Sequence, residues 1–447
     1  MATPACKENP PVRAAPFGSP SRPCSRGATV CSVNSFCPAL GITRASDYRK
    51  LNPGSPSGRG VGFELWLQDH AGCTTLRTRA VLIATGCYEK PLAFPGWTVP
   101  GVMGAGAIQG FLKSQQFVPG ERFVLAGSHP LQLVVADQLL GAGANVAAVV
   151  FTQHPWQVRK LLRNPLALLG NTRALMESMK ILWRLSRAGV ALKFGKTIVR
   201  AEGKSLQRVM IAALQRDGSI ERSSVEILDC DRLGICHGFL ASSELARQAG
   251  VHTIWREYDG GWLAGHDEWF ESSLRGLFVA GEITGVAGAD AALEKGRIAG
   301  IGVLRALGRI ELDKAERLAK PPRRRLRRIE RFAQALSRLA RPPQQLASET
   351  MTHDALLCRC ESISCGEFRQ RLEAHPHIAS ADAAKLLTRV GMGICQGRLC
   401  GDNAARMIAD LRGIDRADVG LFQAQIPVKP VRLDLLSGSF SPADDSG

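Results

Sequence analysis

The sequence has no run of roughly eighteen apolar residues, the length a bilayer-spanning helix needs, so nothing in it reads as a membrane span. Its opening stretch, MATPACKENPPVRAAPFGSPSRPCSRG, holds no apolar block of the kind that heads a secretory signal, and a cytoplasmic protein is the expectation. No internal repeat is visible. His-Glu-x-x-His, the P-loop and Gly-x-Ser-x-Gly are all missing, which leaves zinc-protease, P-loop phosphoryl-transfer and serine-hydrolase chemistry without a carrier. Aromatic residues do not interleave with the basic ones, so the usual footprint of a nucleic-acid module is absent too.

What is present suits two or three globular domains: 447 residues, 45% hydrophobic and 22% charged. Much of the net charge of +17 sits in KPPRRRLRRIER, where Arg323, Arg324, Arg325, Arg327 and Arg328 crowd together. Leu326, Ile329, Ala333 and Leu336 recur every three to four positions there, the pattern of an amphipathic helix with a basic outer face. A solvated linker helix over 313–350, punctuated by Pro321, Pro322, Pro342 and Pro343, is the preferred reading. An acidic protein partner comes second and nucleic acid third. Thirteen cysteines without secretion point to metal ligation or plain thiols rather than disulfides.

Residues 1–60 are rich in Pro, Ser, Gly, Arg and Cys without sustained periodicity, and are expected to be irregular or disordered. Order begins with Phe63, Leu65 and Leu67, which alternate as a strand; a turn at Ala71-Gly72 and a continuously apolar strand from Ala80 to Ala84 follow. The stretch ERFVLAGSHPLQLVVADQLLGAGANVAAVVF reads as strand (Phe123 to Ala126), helix (Leu131 to Leu140), glycine cap (Gly141 and Gly143) and strand (Val146 to Phe151). Helix is expected over 155–190, short strands over 196–228, and a further strand, glycine turn and helix in LRGLFVAGEITGVAGADAALEKGRIAG. Such alternation predicts a doubly wound α/β architecture with an appended small module at about 351–420 and a polar tail over 421–447.

That module carries the most specific pattern. Cys358 and Cys360 flank one arginine, while Cys395 and Cys400 enclose Gln-Gly-Arg-Leu, with Gly391, Gly393 and Gly397 nearby. Four thiolates in two tight pairs suit an iron–sulfur cluster, because soft sulfur stabilises iron and small residues let backbone amides close on the sulfurs. Zinc is the competing occupant, although its sites more often use Cys-x2-Cys hooks. Four buried thiols that bind nothing is the bland alternative.

CRCE together with KLLTRVGMGICQGRLCG resembles the 2Fe–2S domain related to bacterioferritin-associated ferredoxin, in the form fused to flavoprotein dehydrogenase subunits. ATGCYEKPLAFPGWTVPGVMGAGAIQGFLKSQ and LFVAGEITGVAGADAALEKGRIAG are similar to the flavoprotein A subunit of opine oxidases, and equally to the matching subunits of hydrogen cyanide synthase and of bacterial hydroxyproline or proline dehydrogenases. The resemblance runs from about residue 62 to about 415. It implies a two-dinucleotide-binding-domain flavoprotein: an FAD-binding-like domain over 61–118 and 230–312, an inserted NAD-binding-like Rossmann unit over 119–229, and the small helical 2Fe–2S domain.

The resemblance further implies Cys358, Cys360, Cys395 and Cys400 as cluster ligands, with Lys385 and Arg389 as a basic pair beside them and Cys365 outside the set. It places Ala84, Thr85 and Gly86 at a strand end close to bound dinucleotide, and Gly281 and Glu282 where an acidic side chain accepts a hydrogen bond from the flavin's ribityl chain. The helix from about Asp290 then points its N-terminus toward the flavin. An electron-transferring flavoprotein and iron–sulfur subunit is implied, in a complex that oxidises C–N bonds of an opine, hydroxyproline or similar substrate. A second flavoprotein subunit would oxidise the substrate and a respiratory acceptor would take the electrons, with peripheral inner-membrane association through the complex.

Two departures stand against it. Residues 1–60 carry no strand–G-x-G-x-x-G–helix unit to cradle an FAD pyrophosphate, so FAD affinity is expected to be poor; a start downstream of that unit is preferred over its loss. In VLAGSHPLQL, Gly127 keeps the first glycine of the family pattern but His129 fills the place of the second, and VAAVVFTQ offers a ribose only Thr152 and Gln153. NAD is therefore not expected there. The alternative function is a non-catalytic iron–sulfur assembly subunit with a decayed nucleotide domain. Cys236 and His237 invite a catalytic reading, but a packed thiol and a helix capped at Ser242 or Ser243 explain that segment more simply.

Overall fold

The computed structural model describes residues 39–45, 62–68, 73–157, 171–343 and 345–434. The first three strands, β1 (Ala39–Ala45), β2 (Gly62–Gln68) and β3 (Cys73–Thr78), form an antiparallel sheet in that order. Phe63 and Leu67 of β2 are buried while Trp66 faces out, as the alternation predicts. The strand β1 corrects the expectation that all of 1–60 is irregular: its own sequence shows no period, and the edge of β2 supplies its hydrogen bonds. The turn expected at Ala71-Gly72 lies outside the described residues.

Next come β4 (Val81–Ile83), β5 (Cys87–Glu89), β6 (Val102–Gly104) and helix α1 (Ala105–Ser114). The unit read as strand–helix–strand follows as β7 (Arg122–Gly127), α2 (Leu131–Gly141) and β8 (Asn145–Phe151). Gly141 closes the helix, and Gly143, at φ +78°, takes the left-handed turn beyond it. Helix α3 (Thr172–Arg187) leads to β9 (Ala191–Phe194), and β10 (Lys196–Glu202), β11 (Arg208–Leu214) and β12 (Ile220–Asp229) make an antiparallel meander. Then β13 (Arg232–Cys236) returns beside β7, giving a parallel five-stranded sheet in the order β6-β13-β7-β8-β9. The expected α/β class, with a parallel Rossmann-like sheet, is what the chain adopts.

The return to the first half is made by β14 (Phe239–Ala241), which pairs with β5, followed by helix α4 (Glu244–Gln248) and a hairpin of β15 (Thr253–Arg256) and β16 (Gly261–Ala264). A three-residue strand, β17 (Leu277–Val279), then pairs in parallel with β4, and helix α5 (Ala289–Ala306) follows a glycine-rich turn.

Helix α6 (Leu312–Leu339) runs straight through Pro321 and Pro322, where a linker was expected. It is packed rather than solvated on its inner face. Ala315 and Ala319 bury against Trp269, Leu326 packs with Ala291, Ile298 and Ala299 of α5, and Arg325 grips Glu294 through two hydrogen bonds of 2.9 and 3.0 Å. Proline removes two helical donors, and this apolar contact together with the fork-shaped ion pair offsets that loss.

The cysteine-bearing module consists of α7 (Leu346–Thr350), β18 (Leu356–Cys358), β19 (Ile363–Ser364), α8 (Cys365–Glu373), α9 (Ala381–Thr388), α10 (Gly401–Arg412) and α11 (Arg416–Val419). Ser364 and Ser380 cap α8 and α9, each accepting a backbone N–H three residues on. Leu357, Phe368 and Ile408 of the module join one continuous core with Val124 and Val150 of the parallel sheet and Val209 and Ile211 of the meander. The module is thus seated on the α/β body. Among the described residues, no helix is long and apolar enough to cross a membrane.

Candidate functional site

The four predicted thiols converge. Cys358 ends β18, Cys360 lies in the turn after it, Cys395 lies in the glycine-rich loop after α9, and Cys400 caps α10. The Cys400 thiol reaches both Cys358 and Cys395, and Cys395 reaches Cys360. Hydrogen bonding from Cys400, reinforced by backbone N–H groups of Gly391, Glu361 and Cys360, draws the Cys358 thiol down to about 6. The same thiol, with Cys360 and the N–H groups of Leu399 and Gly397, draws Cys395 down to about 5. Cys400, the shared donor, is pushed far up, and burial raises Cys360. Two of the four are thereby drawn toward the thiolate, the form in which sulfur ligates iron or zinc.

The loop is shaped by close approaches. A Cβ on Gly393 would stand 2.1 Å from Cβ of Cys360, and one on Gly391 or Gly397 would meet the Phe422 ring at 2.5 or 2.4 Å. Among the described residues no group of three or more His, Cys, Asp or Glu side chains stands together at metal-holding separation; the sulfurs meet in a chain, Cys358 to Cys400 to Cys395 to Cys360. Four thiols with amide N–H groups aimed at sulfur are groups that could hold a metal ion or a cluster. The predicted basic pair looks elsewhere: Arg389 pairs with Glu361 at 3.0 Å, and Lys385 sits 5.9 Å from the Phe422 ring centroid. Cys365 is buried, and burial pushes its thiol up to about 12, consistent with a packed thiol.

A second convergence lies at the ends of the parallel pair β4 and β17. Ala84, Thr85 and Gly86 follow β4, Gly281 and Glu282 follow β17, and Ala280 N–H donates to the Ile83 carbonyl at 2.9 Å. Gly86, at φ +73°, has nothing within 4 Å of where a Cβ would be, so the space before it is open. Thr85 donates to the Ser242 carbonyl at 2.5 Å. One Glu282 oxygen accepts from the Cys87 thiol at 2.8 Å and the other from Gly288 N–H at 3.2 Å, just ahead of the exposed Asp290 in the first turn of α5. The strand ends, an acceptor carboxylate and a helix N-terminus thus gather at one spot.

Gly127 is set apart from that spot, in the five-stranded sheet, where a Cβ would meet the Cys236 carbonyl oxygen at 1.9 Å. Packing alone requires this glycine. Beyond it, His129 is half-buried with its ring 5.0 Å from that of Phe239, and desolvation lowers its imidazole to about 4. Past β7 and β8 two glutamines bond to the chain's own carbonyls: Gln132 donates to that of Gly127 at 3.3 Å, and Gln153 donates to those of Ser128 at 2.8 Å and Leu339 at 3.2 Å.

Other functional candidates escaped sequence reasoning. Glu89 turns its carboxylate onto the first amides of α1, accepting from Gly106 at 2.8 Å, and burial raises it. Lys90 lies 3.4 Å from Asp402 of the module, which also binds Arg416. Burial alone would raise the Asp402 carboxyl, but Lys90, Arg416 and Arg406 hold it well below the usual range. The signal in sequence was slight: two charges, Glu89 and Lys90, soon after an apolar strand. Ser243 does begin α4 as expected, but its hydroxyl makes no capping bond; Ser242 instead donates to Glu244 at 2.9 Å.

Residues flanking the two convergences meet. Tyr88, two residues past Gly86, lines a small pocket with Gln396 and Gly397 of the thiol loop. Arg247 donates to the Phe422 carbonyl at 3.1 Å, and Arg398 of that loop pairs with Glu244 at 3.5 Å.

No protein-family model matches the chain. The A subunit of opine oxidase from Rhizobium meliloti (strain 1021) is 33% identical over 390 residues, spanning 85% of this chain and 80% of that protein. Hydrogen cyanide synthase subunit HcnB of Pseudomonas aeruginosa is 32% identical over 355 residues, 78% of this chain and 74% of that one. Among solved structures, L-proline dehydrogenase from P. horikoshii superposes with a TM-score of 0.60 at 18% identity, over 90% of this chain; the chain spans 64% of that one, and the likeness is one of fold.

Proposed function

This chain belongs to the family that includes hydrogen cyanide synthase subunit HcnB and the A subunit of opine oxidase, and on that premise we propose that it is the electron-transferring flavoprotein and iron–sulfur subunit of a multi-subunit oxidoreductase. The substrate class is an amino-acid-derived molecule whose C–N bond is oxidised. The observation that supports this reading is that Tyr88, on the strand that continues from Ala84-Thr85-Gly86, lines one small pocket with Gln396 and Gly397, which follow Cys395.

In this reading Cys358, Cys360, Cys395 and Cys400 hold a 2Fe–2S cluster. Ala84, Thr85, Gly86, Gly281, Glu282 and the start of α5 at Asp290 line one side of an FAD site. A bound flavin exchanges electrons singly or in pairs and a bound cluster singly, so together they convert between the two. The chain's own residues bind, orient and shield. Backbone N–H groups on the sulfurs stabilise the electron-rich state, Glu282 waits as a hydrogen-bond acceptor, and the α5 N-terminus favours negative charge before it. Gly127 and the unit around it are structural in this reading, because His129, Gln132 and Gln153 lie past β7 and β8, where NAD would need room.

The domain reading is 61–118 with 230–312 as the FAD-binding-like part, 119–229 as the Rossmann unit and 351–420 as the cluster module. A second flavoprotein subunit that oxidises the substrate, and a respiratory acceptor, complete the chain of transfer; relatives named as subunits support the first of these. Cytoplasmic residence, with peripheral attachment to the inner membrane through the complex, belongs to the same proposal. The test is the visible spectrum of the purified protein. Flavin and iron–sulfur bands together support the reading, and cluster bands without flavin support the alternative of a non-catalytic assembly role. In Cys395→Ser the cluster bands are expected to disappear while far-ultraviolet circular dichroism stays unchanged; bands that persist would show the ligands to be wrongly assigned.

A further inference from the structure

The outer face of α6 carries a run of cations that neither candidate cofactor site uses. The inner face, with Ala315, Ala319, Pro322 and Leu326, is buried. On the opposite side Arg317, Arg324, Arg331 and Arg338 are exposed, as are Lys320, Arg327 and Arg328 beside them. With 3.6 residues to the turn, these seven fall within about 100° of arc, in a row about 30 Å long.

The other charges of the helix are largely taken up inside the chain. Arg325 pairs with Glu294, Arg323 with Glu316, and Glu330 with Lys295. Among the described residues none of the seven outer cations has a carboxylate partner, and Arg327 donates only to the Arg323 carbonyl, at 3.3 Å. Asp313, one turn ahead of Arg317, is the only acid of α6 in the same register, and it too is unpaired among the described residues. A solvated helix face usually mixes the signs of its charges, because like charges three or four residues apart destabilise the helix. A row of one sign keeps that repulsion until an anion from outside relieves it.

The spacing says what kind of anion. Arg317, Arg324, Arg331 and Arg338 stand seven apart, and Lys320, Arg327 and Gln334 follow the first three of them by three residues. These are the a and d positions of a heptad repeat. A seven-residue repeat stays on one line only against a second helix that winds beside the first, at about 20° to it. A bilayer or a nucleic-acid backbone imposes no such period. The row also offers no large apolar side chain to enter a bilayer and no aromatic ring to stack on a base. A second copy of this chain is a poor occupant, since 57 Lys and Arg stand against 40 Asp and Glu.

We propose that the outer face of α6 docks an acidic helix of another protein, with Asp or Glu at the a and d positions of about three heptads, laid alongside α6. Six of the seven cations are arginines, whose planar forks bind carboxylates through two parallel hydrogen bonds. Each exposed pair contributes little, so docking depends on the whole row and weakens as salt rises. It does not rest on the flavin or cluster assignments.

The probe is a labelled, alanine-rich helical peptide of four heptads with Glu at a and d, titrated with the purified full chain at about 0.15 M salt and followed by fluorescence anisotropy. It is expected to bind in the micromolar range, at least tenfold tighter than a peptide of the same composition whose glutamates are shuffled off the repeat. Arg324→Glu combined with Arg331→Glu is expected to lower affinity at least tenfold with circular dichroism unchanged. Arg79→Glu combined with Arg216→Glu makes the same change in net charge at exposed positions elsewhere, and is expected to lower affinity less than threefold. If the α6 variant fails to fold, the two peptides on the unaltered protein still decide. Equal affinity for the two peptides overturns the proposal, as does an equal loss in the two double variants. Absence of peptide binding at submillimolar concentration overturns it too, and so does tighter binding of phosphatidylglycerol vesicles or of random-sequence duplex DNA than of the heptad peptide.

Discussion

The cysteine-bearing module and the strand ends after β4 and β17 are the two proposed cofactor sites, but they are built to different degrees. In the module, thiols, sulfur-directed amides and glycines pressed on Phe422 and Cys360 make a crowded, self-contained cradle from neighbouring stretches of one small unit. At the strand ends, a parallel pair of three-residue strands carries the site, Leu82 of β4 is 43% exposed, and the space before Gly86 is open. A short loop can surround a compact cluster by itself. A dinucleotide is too long for that and needs surfaces from several strands and helices. The contrast teaches where substitutions will be felt.

The largest effect is expected where the two regions are joined. Asp402→Asn leaves Lys90 without its carboxylate and Arg416 and Arg406 with Glu257 as their remaining partner, and a loss of about 3–5 kcal/mol is expected for breaking a buried pair of this kind. Urea unfolding would measure it; a loss under about 1 kcal/mol would mean that the module does not depend on this joint. Gly393→Ala comes next, at about 3 kcal/mol with loss of any cluster bands, because its Cβ would collide with Cys360. Gly86→Ala tests the opposite case: only the left-handed backbone at φ +73° resists it, at about 1–2 kcal/mol, since no atom lies near the new Cβ. Equal losses in the two glycine variants would erase the distinction between crowded and open sites.

Acid acts on the α/β body, where two buried or half-buried histidines lie. His129 and His237 are held neutral by burial, each with its imidazole lowered from 6.5 to about 4. The unfolded chain therefore binds more protons than the folded one between those values. Stability falls as pH drops from about 6.5 to about 4, by up to about 3 kcal/mol per histidine. His129→Gln is expected to flatten the slope of stability against pH by about one proton; an unchanged slope would remove His129 as a cause. The smallest effect is expected for Leu82→Ser, within about 0.5 kcal/mol by thermal unfolding, since that side chain already faces out.

Much of this was readable in advance. Strands β2, β7, β8 and β17 and helices α2 and α5 carry local apolar patterns bounded by glycine turns or caps, and all fall where expected. The thiol pairs were readable because each pair's spacing is local. The strand β3, CTTLRT, escaped because threonine-rich strands show no apolar alternation, and β1 because its pairing partner rather than its own pattern defines it. The family resemblance drawn from the quoted motifs agrees with the relatives found. By contrast, the contact of Cys87 with Glu282 spans 195 positions and left no mark on either neighbourhood. The arginine-rich helix was legible as amphipathic, but its seat on α5 was not, because Glu294 and Trp269 carry no sign of which helix they will receive.

The sequence by itself determined what is set within a few turns of chain: the α/β alternation, the two thiol hooks, the glycine that follows each strand end, and the residue standing where a second nucleotide glycine would be. Tertiary structure alone decided which distant charges are buried together, that the module sits against the strand after Gly86, and that a cavity remains between them lined by His237, Asp402 and Asn403. The physical reason is range. Backbone propensity and side-chain period act over neighbouring residues, whereas burial of charge and the shape of a cavity depend on surfaces that meet only after the chain has closed on itself.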